Sequence, residues 1–94
     1  DQCFERQVDA FVREGDVVIG LSTSGNSLSI INAALSAKKK SAKTIAFTGE
    51  GGGDLKDNVD VCLEIPSKDT ARIQECHITI GHILCSIIEK ELFV

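Results

Sequence analysis

The chain has 94 residues, of which 43% are apolar and 26% are charged, and its formal net charge is −4. A chain of this length forms at most one domain with a thin hydrophobic core. The acidic balance argues against a nucleic-acid-binding module, which normally presents a basic face. No apolar stretch reaches the roughly 18 residues that a membrane span needs. The chain starts with Asp1 and contains no Met, and we therefore interpret it as part of a longer protein.

The spacing of apolar residues predicts three helices and three strands. Phe4, Val8 and Phe11 recur at i, i+4 and i+7, the pattern of an amphipathic helix, and Gly15 is a natural helix stop. The next apolar run, at 17–21, is nearly continuous, as in a strand that is buried on both faces. In chain order, the predicted elements are a helix at 2–14, a strand at 17–21, a helix from 28 to about 40, a strand at 43–48, a strand at 59–65 and a helix from 69 or 70 to about 92.

This order of elements predicts an α/β fold. Buried strands that alternate with helices indicate a parallel sheet with right-handed crossovers. Helices must cover both faces of such a sheet, which predicts three layers. Because three strands make a small sheet for this architecture, we expect further strands before Asp1. Residues 1–94 are accordingly interpreted as the C-terminal part of one domain.

A segment rich in hydroxyls, STSGNS at 22–27, separates the first strand from the second helix; we call it the serine loop. In open α/β sheets, ligands bind beyond the carboxyl ends of the strands, where a helix N-terminus offers free N–H groups to an anion. The loop lacks the lysine that reaches the outer phosphates in a P-loop, which favours a phosphate monoester over a triphosphate. A polar turn with a serine cap is the alternative. The candidate ligand-binding residues are Ser22, Thr23, Ser24 and Ser27, with Gly25 allowing close backbone approach.

A second glycine-rich segment, GEGGGD at 49–54, follows the second strand. Gly49 and Gly51 begin a G-x-G pattern, but Asp54 stands where the dinucleotide-binding fingerprint requires its third glycine. The fingerprint is therefore broken, and we predict a flexible loop without a ligand of its own.

The four cysteines, at positions 3, 62, 76 and 85, form no C-x-x-C pair. We interpret them as reduced cysteines that act as small hydrophobic residues. Free cysteines of this kind are typical of a cytoplasmic protein. Neither a disulfide framework nor a cysteine–zinc cluster is expected.

The predicted last helix is apolar around much of its circumference, which indicates burial on more than one side and a subunit interface. His77 and His82 lie about 140° apart around its axis, so they do not form the i, i+4 metal pair. A single histidine on an apolar helix is usually a hydrogen-bonded core residue. Gln74 shares an i, i+8 row with His82. The apolar stripe consists of Ile73, Cys76, Ile80, Leu84 and Ile87.

Four stretches of the chain together resemble the phosphoheptose isomerases, enzymes built on the SIS (sugar isomerase) domain. They are GDVVIGLSTSGNSLSIINAAL, TIAFTGEGGGDL, VCLEIPS and TARIQECHITIGHIL. The resemblance covers nearly the whole chain and matches the C-terminal half of the enzyme. It implies a flavodoxin- or Rossmann-like SIS fold. It also implies an aldose–ketose isomerase that converts sedoheptulose 7-phosphate to D-glycero-D-manno-heptose 7-phosphate, a step in activated heptose biosynthesis linked to lipopolysaccharide.

The resemblance also implies roles for individual residues. The family's phosphate-binding loop matches the serine loop. Its last helix contributes a glutamine and a histidine at the reacting end of the sugar, and these match Gln74 and His82. His82 is then the expected catalytic acid or base, and in members with zinc both residues are metal ligands. Because the two lie about 12 Å apart along a helix, they can share one metal only if their side chains converge on it from above and below, and we expect them to converge on one pocket.

Several features of the family cannot be read from this sequence. A glutamate and a histidine from an upstream helix of the family do not occur here. The family typically forms a homotetramer with active sites at subunit interfaces, which agrees with the apolar last helix.

Two other classes of protein carry the same domain: non-catalytic proteins that bind the bacterial replication initiator, and sugar-phosphate-sensing modules. The intact serine loop and the presence of His82 favour the enzyme.

Overall fold

The computed structural model describes residues 3–93, which form a three-stranded sheet, three α-helices and a short 3₁₀ helix. The strands are β1 at Val17–Leu21, β2 at Lys43–Thr48 and β3 at Val61–Glu64. The helices are α1 at Cys3–Phe11, α2 at Leu28–Lys39 and α3 at Thr70–Phe93, and the 3₁₀ helix lies at Gly53–Asn58. The strand order is β1-β2-β3, and both neighbouring pairs are parallel. The predicted α/β fold with a parallel sheet is confirmed.

One face of the sheet is covered by α2, which in turn packs against α1. Small residues allow α2 to lie close to the strands: Ala34 of α2 is buried together with Ala46 of β2 and Leu55 of the 3₁₀ helix. A second buried cluster joins Ala37 of α2 to Val8 of α1. The apolar side of α1 that the i, i+4 spacing indicates is therefore used to contact another helix.

The opposite face of the sheet carries α3. Successive side chains of a strand point to opposite faces, so Phe47 of β2 faces away from the α2 side that Ala46 occupies. Its ring centroid lies 5.7 Å from that of His77 on α3. Helices thus lie on both faces of the sheet, as the three-layer prediction requires.

The prediction that β1 is buried on both faces is wrong for this chain. Val17, Ile19 and Leu21 are 57%, 43% and 50% exposed, and their register partners in β2 place them on the α3 side. This face is covered only near the carboxyl ends of the strands, because the buried residues of α3 lie in its first half. Within residues 3–93, no helix covers the other end of this face.

Three boundaries differ from the predicted ones. The first helix ends at Phe11 instead of residue 14, because Asp16 closes a tight turn by accepting the N–H of Arg13 at 2.9 Å. Residue 2, where that helix was predicted to begin, lies outside the described residues. The third strand begins at 61 instead of 59, since Asp60 turns its side chain back to Thr44 and accepts both its N–H and its hydroxyl. It ends at Glu64, one residue before the predicted end.

The segment at 49–54, predicted as a flexible loop, forms a turn at 49–52 and then enters the 3₁₀ helix at Gly53. Gly51, Gly52 and Gly53 adopt positive φ values of 87°, 74° and 54° and lead directly into the 3₁₀ helix. Leu55, two residues further on, is only 1% exposed. A buried leucine beside the glycines anchors the segment on α2 and β2.

α3 is a continuous helix, but the row that it buries differs from the predicted stripe. The buried or partly buried positions are Ile73, His77, Ile80, Gly81 and Leu84. Cys76, Cys85 and Ile87 are exposed, so the expectation of burial on more than one side is not met by the part of the chain that the structure describes. Cys62 is partly buried, and the side chain of Cys3 lies outside the described ones. None of the described helices is long and apolar enough to cross a membrane.

Candidate functional site

The serine loop lies where the parallel sheet predicts a ligand site, beyond the carboxyl end of β1 and before the first turn of α2. Two backbone hydrogen bonds join it to the adjacent end of β2. The N–H of Ser22 donates to the carbonyl of Phe47 at 3.0 Å, and the N–H of Gly49 donates to the carbonyl of Thr23 at 3.0 Å. These bonds fix the first two residues of the loop to the carboxyl end of the sheet.

Hydrogen bonds within the loop orient its hydroxyl groups. The N–H of Gly25 donates to the Oγ of Ser22 at 3.1 Å, and the N–H of Asn26 donates to the Oγ of Ser24 at 3.1 Å. A hydroxyl that accepts a hydrogen bond keeps its own proton to donate. The loop therefore presents hydroxyl donors, the groups that a phosphate oxygen requires.

The N-terminus of α2 adds backbone donors beside these hydroxyls. Ser27 occupies the N-cap position, but its side chain makes no capping hydrogen bond. The first intrahelical bond runs from the N–H of Ile31 to the carbonyl of Ser27. The N–H groups of the three residues between them have no partner within the helix. Together with the positive end of the helix dipole, they form a site suited to an anion.

A pocket of about 540 Å³ opens between the serine loop and α3. It brings the four predicted phosphate-binding residues together with Gln74. Its lining residues are Leu21, Ser22, Thr23, Ser24, Ser27, Gln74, His77 and Ile78. None of these side chains carries a formal charge in the neutral form of the histidine, so the pocket offers hydrogen bonds and a helix dipole to an anion.

His77 anchors α3 at the base of this pocket. It is 2% exposed, and its Nε2 lies 2.8 Å from the carbonyl oxygen of Thr48 at the end of β2. Since a carbonyl can only accept, Nε2 carries the proton in this contact. The interpretation of His77 as a hydrogen-bonded core residue is confirmed, and its position holds Gln74, one turn earlier on α3, opposite the serine loop.

His82 does not share the pocket of the serine loop and Gln74. It is exposed and lines a separate cavity of about 340 Å³ together with Ile83, Ser86, Ile87 and Lys90. The expected convergence of Gln74 and His82 on one pocket is not formed by residues 3–93 alone. The catalytic role of His82 stays a prediction.

The described residues do not make a zinc site by themselves. Zinc takes three or four protein ligands, mostly from Cys, His, Asp and Glu, and no group of three such residues lies close enough within residues 3–93. Gln74 and His82 could supply two ligands at most, and they line different cavities.

Sequence analysis missed a charged pocket that adjoins the serine loop. This pocket, of about 260 Å³, is lined by Thr23 and Ser24 together with Glu50 and Lys68. Glu50 follows β2 and Lys68 follows β3. Because the carboxyl ends of parallel strands meet at one edge of a sheet, residues just after each strand were the signal that could have identified it.

The chain belongs to the SIS-domain family, because the model of the SIS domain matches residues 2–87. Among curated relatives, it is similar to the phosphoheptose isomerase of Sulfurimonas denitrificans, with 55% identity over 93 residues, which are 99% of this chain and 48% of the relative. The phosphoheptose isomerase of Leptospira biflexa is 60% identical over 96% of this chain and 46% of its own length. The chain thus spans about half the length of the curated relatives it matches.

A solved structure has the same fold. The structure of a phosphoheptose isomerase from Francisella tularensis superposes with a TM-score of 0.91 and 40% identity, covering 95% of this chain and 48% of that chain. The architecture described above is therefore that of one half of such an enzyme.

Proposed function

We propose that the protein containing this chain is a phosphoheptose isomerase that converts sedoheptulose 7-phosphate to D-glycero-D-manno-heptose 7-phosphate. The observation that carries the proposal is the serine-loop pocket, in which hydroxyl donors and the N-terminal end of α2 face Gln74. High identity to phosphoheptose isomerases over about half of their length supports the same activity.

In this proposal the serine loop binds the phosphate of the sugar. The hydroxyls of Ser22 and Ser24 donate to the phosphate oxygens, because each already accepts a backbone N–H. The N–H groups of the first turn of α2 bind the remaining charge. Binding energy gained at the phosphate, remote from the reacting carbons, orients the other end of the sugar for reaction.

The reaction moves a proton between neighbouring carbons through an enediol or enediolate. Gln74, on the opposite wall of the pocket, is proposed to hydrogen-bond a sugar oxygen near the reacting end. His82 is proposed to act as the general acid or base, since an imidazole can give and take a proton near neutral pH. As His82 lies outside the pocket of this chain, residues from outside residues 3–93 are proposed to complete the reacting end.

Three further properties are proposed with it: a homotetramer, a cytoplasmic location and a place in the heptose biosynthesis that leads to lipopolysaccharide. The apolar surface of α3 supports assembly, because Ile83, Ile87 and Ile88 are each more than half exposed. Zinc is proposed as a cofactor only if ligands from elsewhere join Gln74 and His82, and no catalytic step is assigned to it. Sedimentation and zinc analysis of the purified protein test the assembly and the metal.

The activity is tested with the protein at its natural length in a coupled assay for sedoheptulose 7-phosphate isomerisation. We expect His82→Ala to lower turnover by about 10²- to 10⁴-fold, the usual contribution of a general acid or base, while its affinity for the sugar phosphate is kept. Ser24→Ala combined with Ser27→Ala removes two hydroxyl donors to a charged group. It should raise KM about 100-fold or more, since each such bond contributes about 1.5–3 kcal/mol.

Ser41→Ala is the matched control for the serine variants. Ser41 is exposed and lies between α2 and β2, at the end of the sheet opposite the serine loop. The KM of Ser41→Ala should therefore equal that of the wild type. Turnover of the wild-type rate in His82→Ala would contradict the assignment. Tight binding of the sugar phosphate without any turnover by the wild type would instead identify a binding module.

A further inference from the structure

The glycine-rich segment after β2 packs directly on the serine loop. The N–H of Leu55 donates to the carbonyl of Gly25 at 2.8 Å, and the N–H of Asp54 donates to the side-chain Oδ1 of Asn26 at 2.9 Å. Two consecutive backbone donors of one segment thus bind two consecutive residues of the other. The serine loop rests on a platform formed by residues 52–55.

The two segments approach so closely that neither Gly25 nor Gly53 has room for a Cβ. A Cβ added to Gly25 would lie 2.0 Å from the carbonyl oxygen of Gly52. A Cβ added to Gly53 would lie 2.6 Å from the carbonyl oxygen of Ser24 and 2.7 Å from the Oδ1 of Asn26. Gly25 and Gly53 both have positive φ, so at these two positions both the backbone conformation and the contact require glycine.

Gly51 differs from its neighbours in this respect. Its φ is 87°, but a Cβ added there would meet nothing within 4 Å. It lies in the same segment as Gly53 and also has a positive φ, but it does not approach the serine loop. Substituting each glycine by alanine therefore distinguishes the effect of backbone strain from the effect of the lost contact.

Asn26 connects the platform to the hydroxyl that faces the ligand. Its own N–H donates to the Oγ of Ser24, while its Oδ1 accepts the N–H of Asp54. A shift of Asn26 would therefore move the Ser24 hydroxyl and, through the next residue, the N-cap Ser27. An amide provides the acceptor without the negative charge of a carboxylate, which would repel a phosphate bound by the serine loop.

We propose that Asn26 and Gly53 are positioning residues: by seating the serine loop on the glycine platform, they hold its hydroxyls and the α2 N-terminus in the geometry that binds a phosphate monoester. Neither residue lines the serine-loop pocket, so they act through Ser24 and Ser27. The inference rests on the proposed function in one respect, the phosphate nature of the ligand.

The test uses the protein at its natural length and the variants Asn26→Ala, Gly53→Ala and Gly51→Ala. Calorimetry measures the Kd of inorganic phosphate and of sedoheptulose 7-phosphate, and the isomerase assay measures kcat and KM. We expect Asn26→Ala and Gly53→Ala to raise both Kd values and KM about tenfold or more, with kcat at saturating substrate within about twofold. Gly51→Ala should keep the Kd values and KM of the wild type.

Two results would overturn the inference: wild-type phosphate affinity in Asn26→Ala, or an equal loss of affinity in Gly51→Ala and Gly53→Ala. If Gly53→Ala does not fold, Asn26→Ala decides, because it removes one side chain from an exposed position. A wild type that binds phosphate but does not isomerise the sugar refutes the proposed function, and the phosphate Kd values of the variants still decide the inference. A wild type that binds no phosphate refutes both.

Discussion

The two histidines of α3 offer a direct test of the structure, because they share a helix and a residue type but differ in burial. His77 is 2% exposed and bonded to the carbonyl of Thr48, whereas His82 is exposed. His77→Ala should therefore destabilise the protein, although it leaves the proposed acid or base, His82, in place. His82→Ala should do the reverse.

The magnitude for His77→Ala follows from three losses. Its hydrogen bond contributes about 1 kcal/mol net. The tilted ring pair with Phe47, at 5.7 Å, adds about 0.5–1.5 kcal/mol. Truncating a large buried side chain also leaves a cavity, which costs about 2 kcal/mol or more where neighbours do not relax. Because these losses overlap, we expect a fall of about 3 kcal/mol in the free energy of unfolding, about a hundredfold in the folding equilibrium.

Urea unfolding of the wild type and both variants measures this difference. His82→Ala should stay within about 0.5 kcal/mol of the wild type, as is usual for exposed positions, although its turnover falls. An unchanged unfolding free energy in His77→Ala would refute the packing of α3 on β2. Greater destabilisation by His82→Ala than by His77→Ala would mean that the burial of the two histidines has been assigned the wrong way round.

Further predictions concern the platform, the strand ends and the charged pocket. Leu55→Ala should lower the free energy of unfolding by about 2–5 kcal/mol, because the side chain is 1% exposed and its removal leaves a cavity, while Leu35→Ala, at 39% exposure, should cost less in the same urea experiment. The pKa of Asp60 is lowered from its ordinary value of 3.8 because its carboxylate accepts the N–H and then the hydroxyl of Thr44. A carboxyl whose pKa is lower in the folded than in the unfolded state stabilises the protein above its unfolded pKa, and this stabilisation is lost as the pH falls through its folded pKa. Asp60→Asn should therefore lose less stability below pH 3.8 than the wild type. Identical acid unfolding profiles of the two proteins would contradict this. Lys68→Ala should raise the KM for the sugar phosphate about two- to fivefold at low salt. The ratio of the KM values of the variant and the wild type should fall as salt is added. A ratio that does not depend on salt would exclude a contribution from the charge of Lys68.

Local sequence patterns were sufficient for the elements and for the position of the serine loop. Apolar spacing identified the helices and strands because each depends on neighbours within a few residues. STSGNS was predicted to be a ligand loop because a strand ends before it and a helix begins after it. Local patterns could not connect Gln74 with that loop, because the two segments are about fifty residues apart in the chain. Their grouping was predicted from the resemblance to a family.

Only the tertiary structure decided which surfaces these elements bury. A continuous apolar run could not reveal that Ile19 lies on a face that α3 leaves uncovered, and helical periodicity could not say which of two histidines faces β2. The run of glycines at 51–53 predicted only a flexible loop, because such a run indicates the conformational freedom of the backbone but not the contacts that it makes with other segments. That Gly53 meets the carbonyl of Ser24 is a contact between distant segments, set by how β1 and β2 lie side by side. The sequence by itself determined the elements and the hydroxyl-rich composition of the serine loop, whose causes are local. The packing of the sheet decided what holds that loop in place.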